Sequence, residues 1–262
     1  MSSLLEVVDL SYCQTLRKSW FTKPKQFILG PLSFKVEQGC TLAITGNNGS
    51  GKTLLAKLLC AGMPSTSGDI LINGENIKHS SQRARNTNIR LMLQHSNSAM
   101  NPAVTVGRML EQTLTLNTDL NPADRREKIE FVLVRVGLLR EHFYFYKHML
   151  SDGQQQRVAL ARAMILDPKV IVADEPFAAL DPSVRSQTVN LILELQQELG
   201  LTFVFISQNL GIVRHISDDV MVLDKGEIVE YGATSTVFKS PQHPLTQKLI
   251  DSHFSLVEKH FA

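Results

Sequence analysis

The stretch Gly46-Asn47-Asn48-Gly49-Ser50-Gly51-Lys52-Thr53 decides the fold of this chain. It matches the pattern G-x-x-x-x-G-K-[ST], in which a glycine-rich loop turns its backbone N–H groups inward around phosphate oxygens. Lys52 supplies a positive charge for the terminal phosphates, and the Thr53 hydroxyl is placed to reach Mg²⁺. The predicted nucleotide contacts are Gly46, Asn47, Asn48, Gly49, Ser50, Gly51, Lys52, Thr53 and Leu54.

The segments on either side of this loop have the patterns that such a site needs. Residues 41–45 form a short apolar run typical of a buried strand, and residues 54–59 have the composition of a helix. A phosphate at the start of that helix gains from free N–H groups and from the helix dipole. A glycine-rich turn that matched by chance would not be expected between a strand and a helix, so we predict a true phosphate-binding loop.

Length and composition limit the possible classes of protein. The chain has 262 residues, 43% of them hydrophobic, and a net charge of +2, which indicates one large domain or two subdomains with a full core. Its three cysteines are far apart, so we expect a reducing compartment and neither a disulfide framework nor a metal cluster. Lys and Arg form no long run, so no nucleic-acid partner is predicted. We see no signal peptide or bilayer-spanning run, and expect any membrane link to go through a partner protein.

Two short strands and a basic segment are predicted before the loop. The apolar patterns at 4–10 and 32–36 favour strands. Between them, residues 13–26 carry Arg17, Lys18, Lys23 and Lys25 beside two aromatic residues. This segment is either a solvated basic loop or a surface for anionic lipid headgroups.

Strands and helices alternate along the rest of the chain. The runs at 170–173 and 202–206 are short and β-branched, as buried parallel strands are. Residue types that begin or end helices are found at Thr105, Asn121, Pro122, Gly137, Pro182 and Gly200. The expected fold is therefore α/β with a parallel sheet, interrupted by a helical insertion at about 95–150.

An apolar run at 170–173 ends in two carboxylates, Asp174 and Glu175. The first is placed to hold Mg²⁺, and the second to polarise an attacking water as a general base. Without the phosphate loop, an ordinary strand followed by an acidic turn would be the better interpretation. Because a phosphate-loop enzyme needs an acidic strand end beside its nucleotide, we predict the second half of a hydrolytic site here.

A further motif, LSDGQQQRVALARA at 150–163, resembles the signature of ATP-binding cassette (ABC) transporter ATPases, usually LSGGQ. The other motifs of that family are present in order. Tyr12 matches the aromatic residue that stacks on adenine, and Gln94 matches the glutamine that senses the γ-phosphate. Asp181 matches the loop that crosses the dimer interface, and Gln208 occupies the switch position. The resemblance covers about residues 4–250.

This resemblance implies a fold, a ligand and an assembly. The fold is a P-loop NTPase (RecA-like) core with a parallel sheet, a small antiparallel β subdomain and the helical subdomain, spanning 4–251 before a short tail at 252–262. The ligands are ATP and Mg²⁺, the latter held by Thr53, Gln94 and Asp174. The implied catalytic residues are Glu175, Gln208 and Gln94. Two subunits bind head to tail, and the signature of one faces the ATP of the other through Ser151, Asp152, Gly153 and Gln154. Closing and opening of this dimer drives the transmembrane subunits.

Two segments narrow the resemblance within the family. QHSNSAMNPAVTVG at 94–107 and SPQHPLTQKLI at 240–250 are similar to segments of oligopeptide and dipeptide importer ATPases. This implies a second, non-identical ATPase, two permease subunits and, indirectly, a solute-binding protein, at the cytoplasmic face of the bacterial inner membrane. The cargo implied is peptides, including antimicrobial ones, although related systems move nickel or polyamines. Several relatives carry iron–sulfur cysteines after this point, and this chain has none there, so no cluster is expected.

Three positions depart from the family pattern. Gln208 and Asn209 replace the usual histidine and aspartate, and a glutamine amide donates a hydrogen bond but carries no charge. Asp152 replaces a glycine, and either suits the helix dipole or repels the partner's γ-phosphate. We therefore expect a slow site in an asymmetric dimer. The chain is either a transport ATPase or an ATP-holding partner of a faster subunit. A soluble ABC ATPase of DNA repair or translation is disfavoured, because there is one cassette, no coiled-coil insertion and no basic face.

Overall fold

The computed structural model describes residues 3–16, 25–92, 100–178 and 180–261. Its strands are β1 (Ser3–Leu16), β2 (Lys25–Glu37), β3 (Thr41–Thr45), β4 (Ser67–Ile72), β5 (Glu75–Asn76), β6 (Ile89–Met92), β7 (Val170–Asp174), β8 (Thr202–Ile206), β9 (Asp219–Asp224) and β10 (Glu227–Ala233). Its α-helices are α1 (Lys52–Leu59), α2 (Gln82–Asn88), α3 (Val106–Asn117), α4 (Pro122–Arg135), α5 (Asp152–Met164), α6 (Pro182–Leu199), α7 (Leu210–Ile216), α8 (Thr234–Lys239) and α9 (Pro244–Phe261). The chain divides into two compact units, one of Met1–Ser80 with Phe203–Ala262 and one of Ser81–Thr202.

An antiparallel sheet of order β2-β1-β4-β5 forms part of the first unit. The prediction of two short strands at 4–10 and 32–36 is wrong in length, because β1 and β2 pair as far as Leu16↔Lys25. Hydrogen bonding between the two strands extends them through polar residues whose local pattern does not indicate a strand. Residues 17–24, which carry most of the basic segment, lie outside the described residues, so its two alternatives remain predictions.

A second set of strands in the first unit has the order β10-β9-β3-β8. The β3 strand lies between β8 and β9 and is parallel to both, whereas β10 is antiparallel to β9. All five residues of β3 and of β8 are buried, as expected for β-branched strands covered on both faces. The phosphate loop begins where β3 ends, so it lies at the carboxyl edge of parallel strands, the usual ligand edge of such a sheet.

The second unit combines the parallel pair β6 and β7 with helices α2 to α6. Helix α3 begins at the N-cap Thr105 and α4 at the N-cap Asn121, followed by Pro122, as predicted. Between α4 and α5 lie two short 3₁₀ helices, Arg140–Tyr144 and Lys147–Met149. The segment from α3 to α5 is therefore helical, within the part of the expected insertion that the structure describes.

The end of the chain is one long helix. Helix α9 includes residues 252–261, which we assigned to a short tail from the sequence. Its start is anchored by Glu230, whose carboxylate accepts the N–H groups of Gln242 and His243 over 2.8 and 3.0 Å. Within the described ranges, every helix is too short or too polar to cross a bilayer.

Candidate nucleotide-binding site

The phosphate loop holds the charge of Lys52 at its centre. The Lys52 ammonium donates to the backbone oxygens of Gly46 and Asn47 over 2.7 and 2.8 Å, and its side chain is almost fully buried. The loop then enters α1 through Gly51, its N-cap, which has φ of 107°. Free N–H groups, a helix start and a fixed ammonium thus face one ligand position, which suits a chain of phosphates.

The turn between β9 and β10 supports the phosphate loop from outside. Gly226 N–H donates to Ser50 O over 3.0 Å. At Gly46, where φ is 138°, a Cβ atom would lie 2.0 Å from Leu223 O. The loop is therefore packed directly against a neighbouring backbone, and only a glycine fits at its first position.

The switch residue Gln208 contacts the phosphate loop. Its Nε2 donates to Asn48 Oδ1 over 2.8 Å, and the Gln208 side chain is exposed. The strand before it is anchored by Ser207 N–H, which donates to Ile44 O over 3.1 Å. The next residue, Asn209, is the N-cap of α7. An amide oxygen thus takes the place of the usual aspartate carboxylate without bringing a charge.

Tyr12 lies in register with a residue that touches the phosphate loop. It pairs with Leu29 across β1 and β2, and directly opposite residues share a face of an antiparallel sheet. A Cβ atom at Gly51 would lie 2.7 Å from Leu29 Cδ1. The half-buried Tyr12 side chain is therefore on the sheet face that packs against the end of the loop.

In the second unit, β7 ends at the first predicted acidic residue, Asp174, and the second, Glu175, follows directly. Asp174 is buried, with 4% of its surface exposed, and Glu175 is half-buried. Glu175 has φ of 44°, a left-handed conformation that costs a non-glycine residue about 1–2 kcal/mol. Such strain is concentrated at functional sites, so this backbone supports a specialised position for the Glu175 carboxylate.

The oxygen groups predicted to hold Mg²⁺ are of the type that this ion prefers. Thr53 is exposed in the first turn of α1, and Asp174 ends β7. No group of three or more His, Cys, Asp or Glu side chains in the described residues could hold a metal ion. Each is an oxygen ligand of the kind that Mg²⁺ binds together with phosphates and waters. Gln94 lies outside the described residues.

The signature motif forms the start of α5. Ser151 is its N-cap. Its Oγ accepts a hydrogen bond from Gln154 N–H over 3.3 Å, and in return Gln154 Oε1 accepts one from Ser151 N–H over 2.9 Å. Asp152 is exposed in the first turn. At Gly153 a Cβ atom would lie 2.8 Å from Val184 Cγ1, so this glycine permits α5 to approach α6 closely.

Asp181 begins the adjacent helix α6. Its carboxylate accepts from Ser183 Oγ over 2.9 Å and from Val184 N–H over 3.3 Å. These hydrogen bonds hold the pKa of Asp181 below its usual value, and the bond from the Ser183 side chain has the largest effect. The predicted dimer loop thus leads into an ionised helix cap.

Comparison with known proteins identifies the family. The model of the family described as ABC transporter matches residues 29–178, more than half of the chain. This chain belongs to the ABC transporter family. It is accordingly an ABC-type ATPase, and the resemblance stated from its motifs is confirmed.

Curated relatives cover nearly the whole cassette. The "Putrescine export system ATP-binding protein SapF" of Escherichia coli K12 is 45% identical over 254 residues, covering 97% of this chain and 95% of that protein. The "Peptide transport system ATP-binding protein SapF" of E. coli O6:H1 has the same identity and coverage. The "Dipeptide transport ATP-binding protein DppF" of E. coli K12 is 42% identical, covering 95% of this chain and 76% of that protein. The likeness to dipeptide-type ATP-binding proteins is therefore confirmed.

A solved ABC structure has the same fold. The cbiO1 protein of Clostridium perfringens, part of the ABC transporter complex cbiONQ, matches with a TM-score of 0.78 and 26% identity. The match covers 100% of this chain and 99% of that one. The predicted α/β ABC cassette fold is confirmed.

The cassette brings together side chains that sequence reasoning did not pair. In the first unit Asn48 meets Gln208, 160 residues away. In the second unit Gln154 Nε2 lies 3.2 Å from Nε2 of His142, a buried residue that we had not singled out. No motif spacing indicates either contact, because both depend on how separate elements pack.

Proposed function

We propose that this ATPase powers the transport of peptides across the bacterial inner membrane, at its cytoplasmic face. In this proposal it binds two permease subunits and a second, non-identical ATPase, and acts indirectly with a solute-binding protein. The observation that carries the peptide cargo is the 45% identity, over 254 residues, with a peptide transport ATP-binding protein. The contact of Gln208 with Asn48 supports the unequal sites. In this contact an intact phosphate loop meets a switch residue that carries no charge at any pH. Because an uncharged donor stabilises the transition state less well, we infer that ATP bound at this loop is hydrolysed slowly.

The proposed site needs residues from two subunits. Ser151 and Asp152 are exposed at the start of α5, where helix N–H groups favour an anion. We infer that this surface binds the phosphates of the partner's ATP. The phosphate loop of this chain meets the partner's signature in the same way, so ATP joins the two subunits head to tail.

In the proposed mechanism each residue has a separate role. Lys52 and the loop N–H groups bind the β- and γ-phosphates, and Tyr12 stacks on adenine. Bound Mg²⁺, held through Thr53 and Asp174, would neutralise developing charge on the phosphates. Glu175 accepts a proton from the attacking water, and Gln208 donates a hydrogen bond to the γ-phosphate.

Gln208→His tests the proposed slow site. We expect about a tenfold faster turnover at this site in the assembled transporter, since a donor that also carries charge stabilises the transition state better; a single such donor contributes up to about 3 kcal/mol. Single-turnover hydrolysis, with the partner's general-base carboxylate removed, measures this site alone. Asn209→Asp is the matched control, because it changes the α7 cap and leaves Gln208 intact. Unchanged turnover in Gln208→His, or an isolated subunit as fast as the complex, would contradict the slow site.

If the chain only holds ATP, the same measurement gives a different result. The single turnover would then show no hydrolysis at this site, while the partner's site would continue at its full rate. That outcome would assign the chain to the alternative, an ATP-binding partner that locks the dimer.

Asp152→Asn tests the effect of the unusual signature residue. Because Asp152 is exposed at the surface proposed to face the partner's γ-phosphate, we expect its charge to oppose closure. The variant should tighten ATP-dependent association about threefold, and more at low salt, where charges are less screened. Association without ATP is the control and should not change. Weaker association with lower thermal stability would instead support the helix-dipole role.

The identity of the cargo is tested by reconstitution. The names of the two SapF relatives give different substrates, putrescine and a peptide, and both relatives are equally identical to this chain. Vesicles containing the complete transporter should show ATP hydrolysis stimulated by peptides and not by putrescine. Stimulation by putrescine alone would replace peptides with a polyamine as the substrate.

A further inference from the structure

The last helix reaches back to the helix that follows Gln208. Nε2 of His253, on α9, accepts a hydrogen bond from Gly211 N–H over 3.1 Å, although 42 residues separate the two. Gly211 lies in the first turn of α7, where backbone N–H groups have no partner within their own helix. His253 therefore supplies a cap that the sequence around α7 lacks.

The remaining caps of α7 come from Asn209. Its Oδ1 accepts from Ile212 N–H over 3.1 Å, and its backbone oxygen accepts from Val213 N–H over 3.0 Å. With the bond from Gly211 to His253, three successive N–H groups at the start of α7 are paired, the last of them by the first ordinary bond of the helix. The segment directly after Gln208 is thus fixed partly by its own residues and partly by α9.

Two contacts hold α9 in place on either side of this imidazole. At its start, Glu230 accepts the N–H groups of Gln242 and His243. Next to the imidazole, the Phe254 ring lies 6.4 Å from the Phe238 ring in an edge-to-face arrangement. A side chain that lies between two anchored points of its helix is preorganised to bind at one position.

We propose that His253 is a positioning residue for Gln208. Its neutral imidazole fixes the first turn of α7, and with it the loop from which Gln208 reaches the γ-phosphate of ATP. This inference rests on the proposed function, in which Gln208 contacts that phosphate. Gly211 fits the arrangement, since a Cβ atom there would lie 3.4 Å from His253 Nε2 and 3.2 Å from Asn209 Oδ1.

The contact depends on the protonation of the imidazole. A neutral ring has one nitrogen that accepts, whereas a protonated ring only donates. Desolvation by burial lowers the pKa of His253 below its ordinary value. Its contribution is therefore fully present above the unfolded pKa of about 6.5, and is lost as pH falls through the lower folded-state pKa. Among the side chains that the structure describes, the other titratable or charged groups on the elements packed around His253 are Arg214 and His215 on α7, Lys239 on α8, and Lys248 and Asp251 on α9.

The test compares two substitutions of His253 in the assembled transporter whose partner ATPase lacks its general-base carboxylate, so that kcat reports hydrolysis at this chain's own site. His253→Leu removes the acceptor, and we expect kcat to fall about fivefold with the KM for ATP unchanged within twofold. His253→Gln keeps an acceptor that does not titrate, so it should restore kcat. It should also remove the fall in kcat that we expect protonation of His253 to cause in the wild type between pH 7.5 and 5.5. Lys248→Ala, an exposed change on the same helix, is the matched control.

A double-mutant cycle with Gln208→Ala separates positioning from simple stability. If His253 acts through Gln208, His253→Leu should lower kcat in the wild type and have no further effect in Gln208→Ala. Additive losses, or equal losses in His253→Leu and His253→Gln, would overturn the inference. If Gln208→Ala itself leaves kcat unchanged, the proposed role of Gln208 fails, and the positioning role fails with it. If Gln208→Ala lowers kcat and His253→Leu does not, only the inference about His253 fails.

Discussion

Glu175→Gln should reduce ATP hydrolysis at this subunit's own site by about 10²–10⁴-fold, the usual contribution of a positioned general base. The amide has nearly the same shape as the carboxylate but accepts no proton from water. ATP binding should be preserved, because the phosphate loop is untouched. Single-turnover hydrolysis and ATP affinity, measured on the same preparation, give the two values. We also expect a longer-lived ATP-bound dimer, since in the proposed function hydrolysis opens it.

Two further variants make the Glu175 result specific. Glu227→Gln changes an exposed glutamate on β10 and should leave both values as in the wild type. Glu175→Gly should be as inactive as Glu175→Gln. Its free energy of unfolding should be about 1 kcal/mol higher than that of Glu175→Gln, because glycine adopts φ of 44° without steric cost. Hydrolysis by Glu175→Gln within threefold of the wild-type rate would remove Glu175 from the general-base role.

Gly46→Ala is expected to abolish ATP binding and to lower thermal stability strongly. The new Cβ atom would lie 2.0 Å from Leu223 O, a backbone atom that cannot rotate away. Either the phosphate loop or the end of β9 must then move, and the carbonyl of Gly46 would no longer accept from Lys52. Equilibrium binding of a fluorescent ATP analogue and thermal unfolding of the purified chain measure the two losses.

Gly49→Ala is the matched control in the same loop. Gly49 also has positive φ, 78°, but nothing lies within 4 Å of a Cβ atom there. It should therefore show only the cost of a left-handed alanine, about 1–2 kcal/mol of stability. Equal losses in the two variants would mean that backbone conformation matters at Gly46, and not the approach to Leu223.

Local signals made much of the fold predictable. The predicted helix starts Thr105 and Asn121 are N-caps in the structure, and the helix predicted to begin at Pro182 begins there, because such signals depend on residues three or four positions apart. The sequence did not predict the full lengths of β1 and β2, because these depend on contacts between residues that are far apart in the chain. The outer part of this hairpin is stabilised by cross-strand hydrogen bonds, so it has no apolar alternation of its own to indicate a strand.

The sequence by itself determined the ligand chemistry and the α/β class. Residues 46–53 constrain their own backbone and carry their own charge, so their function can be predicted without any distant contact. Only the tertiary structure decided which partners those groups meet. Asn48 with Gln208, Gln154 with His142, and Gly211 with His253 are each joined by the packing of separate elements. A hydrogen bond between distant residues depends on positions set by the packing of the whole core. The sequence between those residues therefore does not predict it.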